Sequence, residues 1–225
     1  MYLQYDYQMT ISYSLPVEKC FYTIKCIPKT TMRQKPTETE IQMSPLSNWS
    51  YGEDGWKNKT IYGSIQKEHD MFDFRIHGKV EIQPVKYEEE ADWDQIGMYR
   101  YPFGKCCPEE GLRKYFTSIG LAGCGSTLEK SMRIMHDLYQ HFSYVSHQTE
   151  VSTSAEEAWH MGMGVCQDYA HIFIVLLRLA GIPARYVCGL LVGEGASHAW
   201  VEAFCEGRWI GLDPTNDCCI GNSHI

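Results

Sequence analysis

No stretch of this chain offers the roughly eighteen consecutive apolar residues that a membrane-crossing helix needs. Positive charge is also in short supply: 20 lysines and arginines against 28 aspartates and glutamates leave a formal net charge of −8. Nucleic acid and anionic membrane both call for a basic face, so neither is expected as a partner. The start, Met1-Tyr2-Leu3-Gln4-Tyr5-Asp6, lacks the basic and apolar regions of a secretory signal. There is no C-x-x-C and no H-E-x-x-H, so a zinc site has no sequence support, and neither a metal nor a cofactor is expected. Internal repeats and low-complexity tracts are missing too.

Cysteine, by contrast, is plentiful. Ten are present, including the adjacent pairs Cys106-Cys107 and Cys218-Cys219. Without an export signal these read as a reduced, cytoplasmic set rather than a disulfide framework. For the same reason the glycosylation-like Asn48-Trp49-Ser50 and Asn58-Lys59-Thr60 carry no weight. With 225 residues, 44% hydrophobic and 13% aromatic, the chain can fill a core as one large domain or two small ones. Nothing in the composition implies an oligomeric state.

Residues 1–95 carry short alternating or β-branched segments: Gln8–Tyr13, Cys20–Cys26, Thr60–Ile65, Met71–Ile76 and Lys79–Ile82. Turn signals at Gly52-Glu53-Asp54-Gly55 and His77-Gly78 separate them, which predicts an antiparallel β-sandwich. Pro84 and the run Glu88-Glu89-Glu90 read as a linker or exposed connection. Residues 96–225 turn helical. Pro108 suits a first helical turn before Leu112, Tyr115, Phe116 and Ile119. Ser126-Thr127-Leu128-Glu129 and Ser154-Ala155-Glu156-Glu157 have the form of capping boxes. From Gln167 to Leu179 the chain is apolar nearly all round, as a buried helix is, with Gly181 and Pro183 as its stop. Arg185–Val192, His198–Phe204 and Arg208–Leu212 read as strands of an antiparallel sheet beside that helix.

A cysteine at a helix start, a histidine at a strand start and an aspartate at the end of the next strand are the parts of an acyl-transfer site. The thiolate is the nucleophile, and free N–H groups at a helix N-terminus favour it. Cys166 holds that position, His198 can act as its base, and Asp213 can accept from the imidazole and fix its tautomer. The Cys166 N–H is one candidate donor to an oxyanion, and the Gln167 side chain or an upstream residue another. His171 reads as packing or support, and Trp200 lies beside His198. Gly162 and Gly164 would allow close backbone approach and room for substrate. Each residue also has a plainer reading: His198 as a satisfied core histidine, Asp213-Pro214 as a turn, Asp168 as support for the helix start. Cys20, Cys26, Cys188 and Cys205 read as small core residues.

The blocks Gly164-Val165-Cys166-Gln167-Asp168-Tyr169-Ala170-His171 and Ala180-Gly181-Ile182-Pro183-Ala184-Arg185-Tyr186-Val187 resemble the core of the bacterial transglutaminase-like superfamily. Ser197-His198-Ala199-Trp200-Val201-Glu202 and Trp209-Ile210-Gly211-Leu212-Asp213-Pro214-Thr215-Asn216 resemble its histidine and aspartate blocks, so the likeness runs in order over residues 126–217. Tyr51–Gly55 and His69-Asp70 look like the β-region that often precedes this domain in bacteria. The resemblance implies an α+β fold: an N-terminal antiparallel β-sandwich over 1–95, then a papain-like helix-plus-antiparallel-sheet domain over 96–225. It also implies a catalytic triad of Cys166, His198 and Asp213, with Gln167, His171 and Trp200 as oxyanion donor or support.

Two features depart from the pattern. Ser146-His147-Gln148-Thr149 stands where relatives commonly carry a glycine before the threonine, so the loop there is expected to differ in shape. Relatives usually continue beyond the position of Ile225 into another strand pair, so the last sheet edge is expected to be incomplete. No acidic cluster resembles the calcium sites of animal transglutaminases. The expected function is hydrolysis of a peptide or amide bond in a peptide or protein substrate, through a thioester. Protein-glutamine transfer to an amine and a non-catalytic peptide-binding module are the alternatives.

Overall fold

Strands whose one face meets a core alternate between exposed and covered positions, and the first part of the chain shows this pattern in six of them. The computed structural model describes residues 1–83, 88–90 and 93–225, with side chains outside 84–95. It divides into two compact units, Met1–Val85 with Ile225, and Lys86–His224. The expected connection residue Pro84 lies outside the described residues.

The first unit consists of Tyr2–Val17 (β1), Cys20–Ile24 (β2), Gln34–Ser44 (β3), Asn48–Glu53 (β4), Lys59–Ile65 (β5) and His69–Ile82 (β6). They form two antiparallel sheets, ordered β1-β6-β3 and β2-β5-β4. Phe72, Phe74, Ile76, Val80 and Ile82 line the covered face of β6, and Ile24, Ile61 and Ile65 that of the other sheet. The two sheets meet where Tyr22 of β2 stacks on Phe72 at 4.9 Å between ring centroids. This corrects one detail of the sequence reading. His77-Gly78 is no turn, because β6 runs through it unbroken. A side chain at Gly78 would strike the Glu38 carbonyl, where β3 shifts register between Pro36 and Glu38, so the glycine serves a bulge.

The second unit follows in the order Glu88–Glu90 (β7), Trp93–Arg100 (α1), Glu110–Ser118 (α2), Thr127–His141 (α3), Ser143–Tyr144 (β8), Ala155–Met161 (α4), Met163–Gly164 (β9), Cys166–Leu179 (α5), Ala184–Gly189 (β10), His198–Cys205 (β11), Arg208–Asp213 (β12) and Cys218–Cys219 (β13). Pro108 precedes α2 by two residues rather than opening it. Ser154 and Glu157 close a full capping box on α4. At α3 only half of one forms: the Ser126 hydroxyl accepts from Glu129 N–H, while the Glu129 carboxylate turns to Gly125 N–H at 2.6 Å.

Helix α5 is buried on nearly every side, as its apolar sequence requires: Ala170 and Ile172 through Leu177 are all covered. Around it pack Leu112, Ile134, Met135, Leu138, Ala158, Val201, Ala203 and Leu212. The sheet is ordered β10-β11-β12-β13, with β7 also pairing with β12. One expectation changes here. The acidic run at Glu88–Glu90 is a strand paired opposite Arg208–Ile210 rather than a linker. The edge of β12 away from β11 pairs with β7 at Arg208–Ile210 and with β13 at Leu212 and Asp213. Among the described residues no helix is long and apolar enough to cross a membrane.

The register of the sheet decides where the site lies. Val201 pairs with Leu212, so Asp213 falls on the opposite face from Leu212, together with Trp200 and His198. His198 pairs with Gly189 at the strand's end, where β11 opens toward the start of α5.

Candidate active site

Cys166 is the first residue of α5. The chain arrives at it through Gly162, which takes a left-handed conformation (φ 69°) to end α4, and then Met163 and Gly164. A side chain at Gly164 would run into the carboxylate of Asp168. Both glycines therefore shape the approach to the helix, and at Gly164 the close approach expected of it is present. Asp168 is buried, and its Oδ2 accepts from Val165 N–H at 2.8 Å and from the Thr149 hydroxyl at 2.6 Å. The first satisfies one of the donors a helix start leaves orphaned. The second ties the unusual Ser146–Thr149 loop to the same point. Asp168 thus supports the helix start, as its sequence position led one to expect.

The Cys166 thiol is half-buried, with Sγ 4.0 Å from the Ser197 carbonyl and within hydrogen-bonding reach of His198. His198 donates from Nε2 to Asp213 Oδ2 at 2.8 Å, which leaves Nδ1 as the nitrogen for the thiol. Asp213 has no exposed surface, and N–H groups surround it. Oδ1 accepts from Thr215 N–H (2.9 Å) and Asn216 N–H (3.2 Å). Oδ2 accepts from Asn216 Nδ2 (2.7 Å), His198 Nε2, and Nε2 of His224 at 3.0 Å. Burial favours the neutral acid, but this donor set outweighs it and holds the carboxyl below the usual range. For His198 burial favours the neutral ring. The hydrogen bonds and charges of Asp213 and Cys166 overcome it and push the imidazole up to about 9. A cysteine, a histidine and an aspartate so linked can move the thiol proton onto the imidazole.

The other expected residues stand apart from this chain of contacts. Gln167 donates its amide to the Glu150 carbonyl at 3.4 Å. His171 is held neutral, down at about 4, by burial and by the nearby Lys105, partly offset by Asp168. Its ring lies 5.3 Å from that of Tyr186, and its Nδ1 is buried without a partner among the described residues. Trp200 is buried beside His198, its ring 6.3 Å from the imidazole, and its Nε1 also lacks a partner among the described residues. Sequence reasoning missed His224. It lies beyond the last recognisable block, and nothing in strand or helix periodicity links it to Asp213.

Among the described residues, one group brings potential metal-ligand atoms close together, within 4.8 Å: His198, Asp213 and His224. Hydrogen bonding accounts for that closeness, since each ring aims an Nε2–H at one carboxylate oxygen. A cation there would need both protons removed.

Residues 116–214 match the transglutaminase-like superfamily, and residues 3–81 match the bacterial transglutaminase-like N-terminal region. The uncharacterized Mycobacterium tuberculosis protein Rv2569c is 38% identical over 231 residues, covering 88% of this chain and 73% of that one. The uncharacterized Mycobacterium leprae protein ML0607 is 45% identical over 92 residues, which is 36% of this chain and 33% of its own length. A protein-glutamine gamma-glutamyltransferase of Pseudomonas aeruginosa is 42% identical over 65 residues, 10% of its length. Among solved structures, a Cytophaga hutchinsonii protein described as a candidate cysteine protease superposes with a TM-score of 0.81 at 20% identity, covering all of this chain and 82% of that one. At that identity the likeness is one of fold.

Proposed function

The chain belongs to the transglutaminase-like superfamily, and from that premise we propose that it hydrolyses a peptide or amide bond by way of a Cys166 thioester. The observation that carries the reading is His198 linked to Asp213 through Nε2, with the Cys166 thiol within reach of the same ring.

In this reading His198 takes the thiol proton and the Cys166 sulfur attacks the substrate carbonyl carbon. The first-turn N–H groups of α5, which have no intrahelical acceptor, face the oxyanion. His198 then passes its proton to the leaving nitrogen, the C–N bond breaks, and a thioester remains. Water, deprotonated by His198, attacks that thioester, the C–S bond breaks, and the thiol is restored with release of a carboxylic acid. Asp213 keeps the ring in one tautomer and steadies its positive state throughout.

The substrate in this proposal is a peptide or protein, and the location is cytoplasmic; no disulfide joins the cysteines of the described residues, which suits a reducing compartment. The test is incubation of the wild type and Cys166→Ala with a peptide library, with and without a primary amine, read by mass spectrometry. Cleavage or conversion of amide to acid only with the wild type supports hydrolysis. Amine adducts would instead make the protein a transferase. Identical spectra from the two proteins would overturn catalysis in favour of a peptide-binding module.

A further inference from the structure

Asp213 Oδ2 is shared. His198 donates to it from one side at 2.8 Å and His224 from another at 3.0 Å, and the two rings lie 6.0 Å apart. His224 is 3% exposed, so no water competes freely for its bond. Its other nitrogen, Nδ1, accepts from Gly221 N–H at 3.4 Å and lies 3.3 Å from the Ser223 hydroxyl. With Nδ1 turned to the Gly221 N–H, Nε2 is the nitrogen that donates to Asp213. Its place is fixed from several directions. Trp200 meets the ring edge-on at 5.5 Å, His224 bridges to Leu191, and Val192 N–H donates to the Ser223 carbonyl at 2.8 Å.

We propose that His224 is a positioning residue that competes with His198 for Asp213 Oδ2 and so sets how tightly the carboxylate holds the His198 proton. An acceptor oxygen that receives several N–H groups gives less to each. Without the His224 donor, Asp213 would bind the imidazolium more tightly, and His198 would release its proton less readily to a leaving amine. The titratable groups facing the carboxylate are His198 from β11, Cys218 from β13 and His224, with the Cys166 thiol of α5 acting through His198.

This inference rests on reading Cys166, His198 and Asp213 as the catalytic group, and the experiment separates the two. Two variants are compared with the wild type: His224→Phe, which fills the same space without a donor, and His224→Gln, which keeps one. The His198 titration midpoint is followed by NMR of its ring protons, alongside the rate at which iodoacetamide alkylates Cys166. In His224→Phe the midpoint is expected to rise by about half a unit, a proton affinity about threefold higher, as one hydrogen bond's net worth implies. In His224→Gln it returns toward the wild-type value. A folded His224→Phe protein with an unmoved midpoint, or a His224→Gln protein shifted as far, would overturn the proposal. Failure of the catalytic reading shows elsewhere: Cys166 of the wild type would then alkylate no faster than exposed Cys107 and Cys219, and His198→Ala would leave its rate unchanged.

Discussion

Thr149 and Asp168 are joined by a 2.6 Å hydrogen bond, and the Asp168 oxygen that receives it also accepts from Val165 N–H. One loop and one helix start are therefore held by the same atom, next to the cysteine. Sequence motifs mark Cys166, His198 and Asp213, yet the position of the thiol depends on this second carboxylate. Thr149→Val removes a donor from a buried acceptor while keeping the side chain's size. It is expected to cost about 1–2 kcal/mol in urea unfolding and to slow alkylation of Cys166. Thr149→Ser, which retains the hydroxyl, should recover most of both. A valine variant with wild-type stability and alkylation rate would rule the tie out.

Gly164 is constrained by the same carboxylate. A methyl group there meets Asp168 Oδ2, Cβ and Cγ, and the aspartate has no room to retreat because it is fully buried. Gly164→Ala is expected to destabilise by about 1–3 kcal/mol, the usual range for overpacking, and to displace the start of α5. Calorimetric melting checks the first effect and the Cys166 alkylation rate the second. A normal melt would mean that Asp168 can move.

Legibility in the sequence followed how local each physical cause is. The α5 helix could be read because Ile172–Leu177 are six successive apolar residues and Gly181 and Pro183 end it. Strands β10 to β12 could be read because their apolar residues alternate or run together between turns. Strand β3 could not: Gln34–Ser44 is largely polar, an edge strand that leaves most of its positions exposed. Cys166, His198 and Asp213 could be picked out together because they stand at element ends, Cys166 first in α5, His198 first in β11 and Asp213 last in β12. The partners of Asp168 and Asp213 could not. Thr149 and His224 approach from loops, and only tertiary contact brings them in.

The protonation of His198 gives stability a pH dependence with a definite sign. Asp213 and Cys166 raise its folded value from 6.5 to about 9, against the opposing effect of burial. The added stability is therefore complete below about pH 6.5 and is lost as pH rises through about 9. Urea unfolding of the wild type and His198→Gln at a series of pH values should show a gap that is widest at pH 6 and closes by pH 10. Asp213, lowered in the fold, adds stability above its ordinary carboxylate range that is lost as pH falls below it. A gap independent of pH between 6 and 10 would mean that folding leaves His198 with the proton affinity it has in the unfolded chain.

Glu156 offers a case in which stability and chemistry should separate. It sits on α4 with its side chain buried, and its carboxylate accepts from Glu109 N–H at 2.9 Å and Leu112 N–H at 3.0 Å. Those are orphan donors at the start of α2, whose own N-cap residue, Glu109, makes no side-chain cap. A residue on one helix thus caps another, and the negative charge also suits the positive end of α2. Glu156→Ala strands the buried Leu112 N–H and the partly buried Glu109 N–H, and is expected to lower unfolding free energy by about 1–3 kcal/mol. Glu156→Gln keeps an acceptor oxygen and should cost less. Neither change touches Cys166, His198 or Asp213, so the alkylation rate of Cys166 in the folded variants should match the wild type. A large drop in that rate, with the melt unchanged, would connect Glu156 to the active site instead of to the helix it caps.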